Sequence, residues 1–315
     1  MSAVDLVPFF GLVARRLDRR RAGRIPDLLE REHDAAMRVL EACQVLDRVP
    51  DTTAARTVDE EAARLLLSLR GWERLSGPPV RMAERLDRCV YTDMAEILDR
   101  ERVPTVIKRA TMRLLHHVND RVGSYEQWTR MLGDALGSLA EAHVHDLAAG
   151  TGGFATYLAR HPPVGRRLEL TSSDLDPGYV AIGAERARRA GLEIHFEERN
   201  ALSLRDARDV DLFVCTQATH HLGPGAVVRM IHQAIHVAPR GLLIIDLYRA
   251  LSAVIGTTAL IAVLAPFPPI VIDGMISVRR GWLPCELELL ARIAGAKHIR
   301  TRSIGPVHCA LHARA

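Results

Sequence analysis

The residues best placed for chemistry fall in the second half of this 315-residue sequence, at stations that follow one another in order. The first is His145-Asp146-Leu147-Ala148-Ala149-Gly150-Thr151-Gly152-Gly153-Phe154, an apolar run entering a glycine-rich turn. Glycines there let the backbone approach a ligand closely, and the start of a following helix favours negative groups. The second is Ser172-Ser173-Asp174-Leu175-Asp176, whose Asp174 lies 22 residues beyond Gly152. An acid at that place suits the diol of a ribose. A third station is Glu198-Arg199-Asn200-Ala201. The run Phe213-Val214-Cys215-Thr216-Gln217-Ala218-Thr219-His220-His221-Leu222 adds paired imidazoles, which titrate near neutral pH and can take a proton from a hydroxyl. Together these residues point to a nucleotide-like cofactor beside an acid–base group.

The elements that must position them read as two halves. Up to about residue 140, apolar residues recur at helical spacing, as in Leu28, Leu29, Ala36, Met37 and Leu40. Breaks at Pro26, Pro50-Asp51, Gly77-Pro78-Pro79 and Pro104 divide that half into six or seven helices. From about residue 142, β-prone runs at 143–147, 167–172, 193–196, 210–215 and 242–247 alternate with helical patterns such as 179–190 and 224–237. This rhythm argues for a parallel sheet covered by helices on both faces. Two last runs, 299–304 and 307–312, meet at Gly305-Pro306 and read as an antiparallel hairpin. The fold class is therefore α/β: a Rossmann-like, seven-stranded, mostly parallel sheet with an antiparallel last strand. An all-helical domain over 1–120 precedes a sheet domain over 121–315.

In its stations the chain resembles the class I S-adenosylmethionine-dependent methyltransferases, notably those acting on quinones and aromatic polyketides, over roughly residues 110–315. The resemblance implies that Gly150 and Gly152 pack against the methionine part of S-adenosyl-L-methionine, that Ala148, Thr151 and Thr216 also bind the cofactor, and that Asp174 holds the ribose hydroxyls. It places Leu175 against adenine, Asn200 at the adenine amino group and Ala201 beside it. Asp146 orders the turn or meets the cofactor's ammonium. Tyr125 and Trp128, on a helix just before the sheet, would shield the sulfonium. The family often has glycine where Ala148 stands and aspartate where Asn200 stands, though a carboxamide oxygen still accepts a hydrogen bond. His220 or His221 is the candidate base for a phenolic acceptor. The segment Asp273-Gly274-Met275-Ile276-Ser277-Val278-Arg279-Arg280 is similar to that of methyltransferases found with aromatic polyketide synthases. The expected reaction is methylation of a small hydrophobic acceptor, at oxygen before carbon, in secondary metabolism.

Two rival readings stay open: a nicotinamide-dependent oxidoreductase, since Gly150-x-Gly152-x-x-Ala155 fits a loose dinucleotide fingerprint, and an inactive cofactor-binding scaffold. No tyrosine is followed four residues later by lysine, which counts against the first. Residues 250–272 carry no charge, but Pro266, Pro268 and Pro269 interrupt them, so a pocket wall is expected rather than a membrane span. The formal net charge of +4 is mild and gives no nucleic-acid signal. The arginines after Leu6–Val13 read as a solvated helix face. Five scattered cysteines without a CxxC pattern, and no secretory leader, suggest a reducing cytoplasm. His232 and His236 stand one turn apart without a third ligand, so no metal is expected. A homodimer contact is left open.

Overall fold

The computed structural model describes residues 14–71, 78–98 and 103–315, with side chains from Glu84 onward in the helix that begins at Pro78. Seven helices come first among the described residues: α1 over 14–22, α2 (Ile25–Arg31), α3 (His33–Leu46), α4 (Thr52–Arg70), α5 (Pro78–Val90), α6 (Thr105–Arg121) and α7 (Ser124–Leu136). The expected breaks mark their starts. Asp51 caps α4 by accepting from the Ala54 N–H at 2.8 Å, and Pro104 stands at the N-cap of α6. The apolar run Leu6–Val13 lies outside the described residues. Arg21, which follows it, turns inward and is buried rather than solvated.

The second half alternates as expected: β1 (Glu141–Leu147), α8 (Gly153–Arg160), β2 (Arg167–Asp174), α9 (Pro177–Arg189), β3 (His195–Glu198), β4 (Leu212–Thr216), α10 (Pro224–Val237) and β5 (Leu242–Leu247). Then come α11 (Leu251–Leu264), α12 (Pro268–Arg280), α13 (Pro284–Ile293), β6 (His298–Ile304) and β7 (His308–Arg314). One seven-stranded sheet has the order β3-β2-β1-β4-β5-β7-β6, with β7 antiparallel to both neighbours. This is the Rossmann-like sheet with a reversed last strand. β4 and β5 are buried on both faces, as continuous apolar runs must be, while edge strand β6 alternates toward solvent.

One face of the sheet is covered by α10 and α13, and α1–α4 pack onto those helices. Leu17, Leu28, Val39 and Leu65 belong to the same apolar cluster as Val227, Ile231, Leu287 and Ile244. One core is therefore continuous across the 120/121 boundary. On the opposite face α7 and α8 contribute Trp128, Leu132, Phe154 and Leu158. A third cluster joins α6, α11 and α12 through Val118, Ile261, Ala265 and Ile270. The uncharged stretch 250–272 thus becomes α11, a proline break and the start of α12. No helix among the described residues is long and apolar enough to cross a membrane.

A buried ion network ties the first half to the second. Arg249, just past β5, donates to Asp87 Oδ1 at 2.8 Å, to Glu286 Oε1 at 2.6 Å and to the Gly281 carbonyl at 2.6 Å. Arg21 reaches Asp87 Oδ2 at 2.8 Å, and Arg70 reaches Glu286 Oε1 at 2.6 Å. Burial alone would raise Glu286, but Arg249 and then Arg70 hold it well below the usual carboxylate range. Removing Arg249 leaves two buried carboxylates with only one arginine each, Arg21 on Asp87 and Arg70 on Glu286, and opens a cavity where the guanidinium stood. Arg249→Ala should therefore cost about 3–5 kcal/mol of stability, read as a lowered urea midpoint at unchanged slope. A loss under about 1 kcal/mol would show that the network behaves as surface pairs do.

Candidate functional site

The carboxyl ends of β1, β2 and β4 open into a cavity of about 650 Å³ at the point where the strand order turns from β2-β1 to β4-β5. Crevices at such reversals are where open α/β sheets bind ligands. The chain leaves two of these strands through left-handed backbone at non-glycine residues, Ala148 (φ 49°) after β1 and Gln217 (φ 50°) after β4. Gly150 (φ 56°) and Gly152 (φ 65°) complete the first turn. A Cβ on Gly152 would sit 2.6 Å from the Phe196 ring and 2.9 Å from Ser172 Oγ, so this glycine is required by strand packing as well as by its φ. Asp174, at the end of β2, accepts from the Gly150 N–H at 2.7 Å and the Asp176 N–H at 2.9 Å. Burial raises its pKa against those two donors.

Of the residues singled out in the sequence, Ala148, Gly150, Asp174, Leu175, Thr216, Tyr125, His220 and His221 line this one cavity. Others stand behind or beside its wall. Asp146 is buried, and neither carboxyl oxygen makes a hydrogen bond of ordinary geometry. Burial pushes it up to about 8, with the Ala155 N–H opposing and Asp174 adding to the rise. Thr151 is buried with its hydroxyl 2.8 Å from His116 Nε2, and Gly152 packs on Phe196. Asn200 is exposed and its Oδ1 accepts from the Leu202 N–H at 2.9 Å, while Ala201 packs on the large apolar core. His232 uses both ring nitrogens, on Ala294 O and Asp47 Oδ2, each at 2.9 Å.

Helix α6 roofs the glycine turn. Met112 lies over Gly150 and His116 over Gly153. His116 Nδ1 meets the Tyr125 hydroxyl at 2.7 Å, which ties the roof to α7. Tyr125 in turn stacks with Phe154, its ring centroid 5.9 Å away, and meets Trp128 edge-on at 5.3 Å. Burial, then Arg186, pushes His116 down to about 3. Trp128 is itself buried, and His308 packs on its ring at 5.3 Å.

The other end of the cavity is polar, and sequence reasoning found only half of it. His220 Nδ1 donates to Asp246 Oδ1 at 2.6 Å, while its Nε2 points to Glu96 Oε1 at 3.4 Å. His221 Nε2 is 3.8 Å from the same Glu96 oxygen. Burial works against charge on His220, but Asp246 and then Glu96 outweigh it and push it up to about 10. Glu96 comes from the segment after α5, more than a hundred residues before the histidines. It is held by the Asp-Gly-x-x-Ser-x-Arg-Arg pattern on α12. Asp273 accepts from the Ile97 and Leu98 N–H groups at 2.7 and 3.1 Å, and Ser277 Oγ lies 2.6 Å from Glu96 Oε1. Arg279 donates to Val90 O at 2.9 Å, and Arg280 to the His220 and His221 carbonyls at 3.1 and 3.2 Å. That pattern was the one sequence signal that could have led to Glu96.

Residues 144–241 match the methyltransferase domain family. Over 82 residues the chain is 34% identical to the demethylmenaquinone methyltransferase of Thermus thermophilus, covering 26% of this chain and 36% of that protein. The chain thus spans only about a third of the length of that curated relative. Among solved structures it is similar to the plantazolicin methyltransferase in complex with a triazolic desmethylPZN analogue and S-adenosylhomocysteine. There the TM-score is 0.45 at 12% identity, covering 63% of this chain and 79% of that one. It is also similar to the magnesium protoporphyrin IX methyltransferase of Synechocystis with bound S-adenosylhomocysteine. That match has a TM-score of 0.43 at 18% identity, covering 72% of this chain and 92% of that one. The glycine turn and both histidines lie inside the matched segment, whereas α6, Glu96 and α12 lie outside it.

The roof makes a testable statement about pH. His116 is neutral when folded, with a pKa near 3 against 6.5 as its ordinary value. Its contribution to stability is whole above pH 6.5 and is lost as pH falls toward 3, because only the unfolded chain takes up the proton in that window. Ring NMR signals of His116 should show no titration between about pH 5 and pH 8. A midpoint near 6.5 would mean that α6 does not seal the turn.

Proposed function

We propose that this protein transfers a methyl group from S-adenosylmethionine to a hydroxyl of a small, largely apolar acceptor of the kind met in secondary metabolism. The observation that carries this reading is one continuous cavity with two chemically distinct ends: Gly150 and Asp174 at one, Glu96, His220 and His221 at the other. Its volume of about 650 Å³ falls within the usual range for small-molecule sites.

The residues present fit the cofactor. Asp174 offers a carboxylate to a ribose diol, and the Gly150 backbone admits close approach. Asp146, buried without a hydrogen-bonded partner, suits a cationic group reached directly or through water. When bound, S-adenosylmethionine supplies a methyl group activated on a sulfonium. The chain's own part is alignment and exclusion of water. Tyr125 and the α6 roof close one side. Leu222, Leu247, Leu260 and Ile261 line the cavity with apolar surface, which favours an apolar acceptor. Of the two candidate bases, His220 is held protonated by Asp246 and Glu96 and so cannot accept a proton. It stabilises the developing oxyanion, while the partly exposed His221 takes the hydroxyl proton as the methyl is transferred. That polar end favours oxygen over carbon as the methylated atom.

Calorimetric titration with S-adenosylhomocysteine, and separately with NADH, tests the reading. Wild type should bind the first with micromolar affinity and the second not at all. Asp174→Ala removes a charged hydrogen-bond acceptor and should weaken binding about tenfold to a hundredfold. Binding of NADH alone would replace the methyl-transfer reading with a dehydrogenase, and binding of neither would favour a scaffold.

A further inference from the structure

Glu96, His220 and His221 bring one carboxylate oxygen and two imidazole nitrogens within 4.8 Å of one another on the cavity wall. Glu96 Oε1 stands 3.4 Å from His220 Nε2 and 3.8 Å from His221 Nε2. Ligands about 2.1 Å from a tetrahedral metal stand about 3.4 Å apart. One edge of the triangle already has that length, and the second closes with a small rotation of His221, the partly exposed member.

The surroundings are those of a metal-ligand set rather than of a chance meeting of polar groups. A metal-bound imidazole commonly donates its other nitrogen to a carboxylate, which fixes the ring and its tautomer. His220 does so: Nδ1 is bonded to Asp246, and Asp246 is held by the Thr219 hydroxyl and the His220 and Leu247 N–H groups. The carboxylate is also fixed from behind. Ser277 Oγ lies 2.6 Å from Glu96 Oε1 and 2.7 Å from the Asp273 carbonyl, its single hydrogen shared between them. Arg280 grips the backbone of both histidines.

We propose that Glu96, His220 and His221 bind a divalent transition-metal ion, with the remaining coordination positions facing the cavity. Two nitrogens and one oxygen suit zinc, cobalt, nickel or ferrous iron, and not magnesium or calcium, which take oxygen ligands. The open positions lie where an acceptor's hydroxyl oxygen would bind, and a metal there lowers the pKa of a bound hydroxyl. The site does not depend on the methyl-transfer reading, since metal binding is measured without cofactor or acceptor.

Co²⁺ is the probe, added to metal-stripped full-length protein and followed by calorimetry and by its visible d–d absorption. Wild type should bind one equivalent, with bands of a four- or five-coordinate ion. Glu96→Gln and His221→Ala each remove a ligand without emptying the buried pocket around His220, and each should weaken binding about a hundredfold or more. Ser277→Ala removes only a supporting contact and should weaken it about tenfold. Circular dichroism and S-adenosylhomocysteine affinity report whether the variants keep the fold. Folded variants that bind Co²⁺ as wild type does would overturn the proposal, as would a wild type that takes up less than one equivalent.

Discussion

The arrangement rests on one buried cation. Arg249 is fully enclosed just past β5, a strand buried along its whole length, and an isolated charge there would be prohibitively costly. It is tolerated because Asp87 on α5 and Glu286 on α13 arrive from opposite directions, themselves neutralised by Arg21 and Arg70. The set is satisfied only when α1, α4 and α5 are docked on the sheet. Since α5 leads directly into the segment bearing Glu96, docking of the N-terminal helices and completion of the polar end of the cavity are one event. Apolar contacts between α4 and α10 supply driving force for that docking, while the ion set fixes its register.

A second constraint is the reversal of strand order between β1 and β4. Parallel strands on either side of the reversal send their connections to opposite faces, which leaves a gap at the carboxyl ends that no backbone fills. Ala148 and Gln217 both bend away from that gap in left-handed conformation, a strain that non-glycine residues hold only where neighbours compel it. For Gln217 the compulsion is visible: its side chain bridges Asn119 on α6, at 2.7 Å, and His308 on β7, at 3.2 Å. The roof and the last hairpin are thus tied together across the cavity floor.

Much of this was legible in the sequence because it is local. The strand boundaries fall within two residues of those expected, since a run such as 242–247 is too apolar and too short for anything but a central strand. The glycine turn and Asp174 were found because their spacing follows from one βαβ unit. What was not legible is nonlocal, apart from one local turn at Asn200. Glu96 lies in an irregular segment with no periodicity, and it meets the histidines only through α12. Asn200 was expected at a ligand but is turned onto the Leu202 amide. Asn readily makes such a local turn to a backbone N–H two residues on, and that competes with reaching outward. The inward turn of Arg21 had the same cause as the position of Glu96, because its partner Asp87 is 66 residues away.

The two ends of the cavity consequently have different origins in the chain. The glycine turn and Asp174 lie inside the segment 144–241 that matches the methyltransferase domain family, while their roof of Met112, His116 and Tyr125 comes from before it. The polar end takes its two histidines from that segment, but Glu96, Ser277 and Arg280 come from outside it. In α12 the polar residues recur every three or four positions along one face, Asp273, Ser277 and Arg280, and each spends its side chain on the 94–98 segment or on the histidine backbone. No side of that helix face is left for solvent, and its apolar neighbours Ile270 and Ile276 are buried. That face of α12 is committed to the Glu96 carboxylate and to backbone groups of two other segments. Its polar face joins the Glu96 segment, which lies outside 144–241, to the two histidines inside it, so the polar part of the cavity forms only when both are in place.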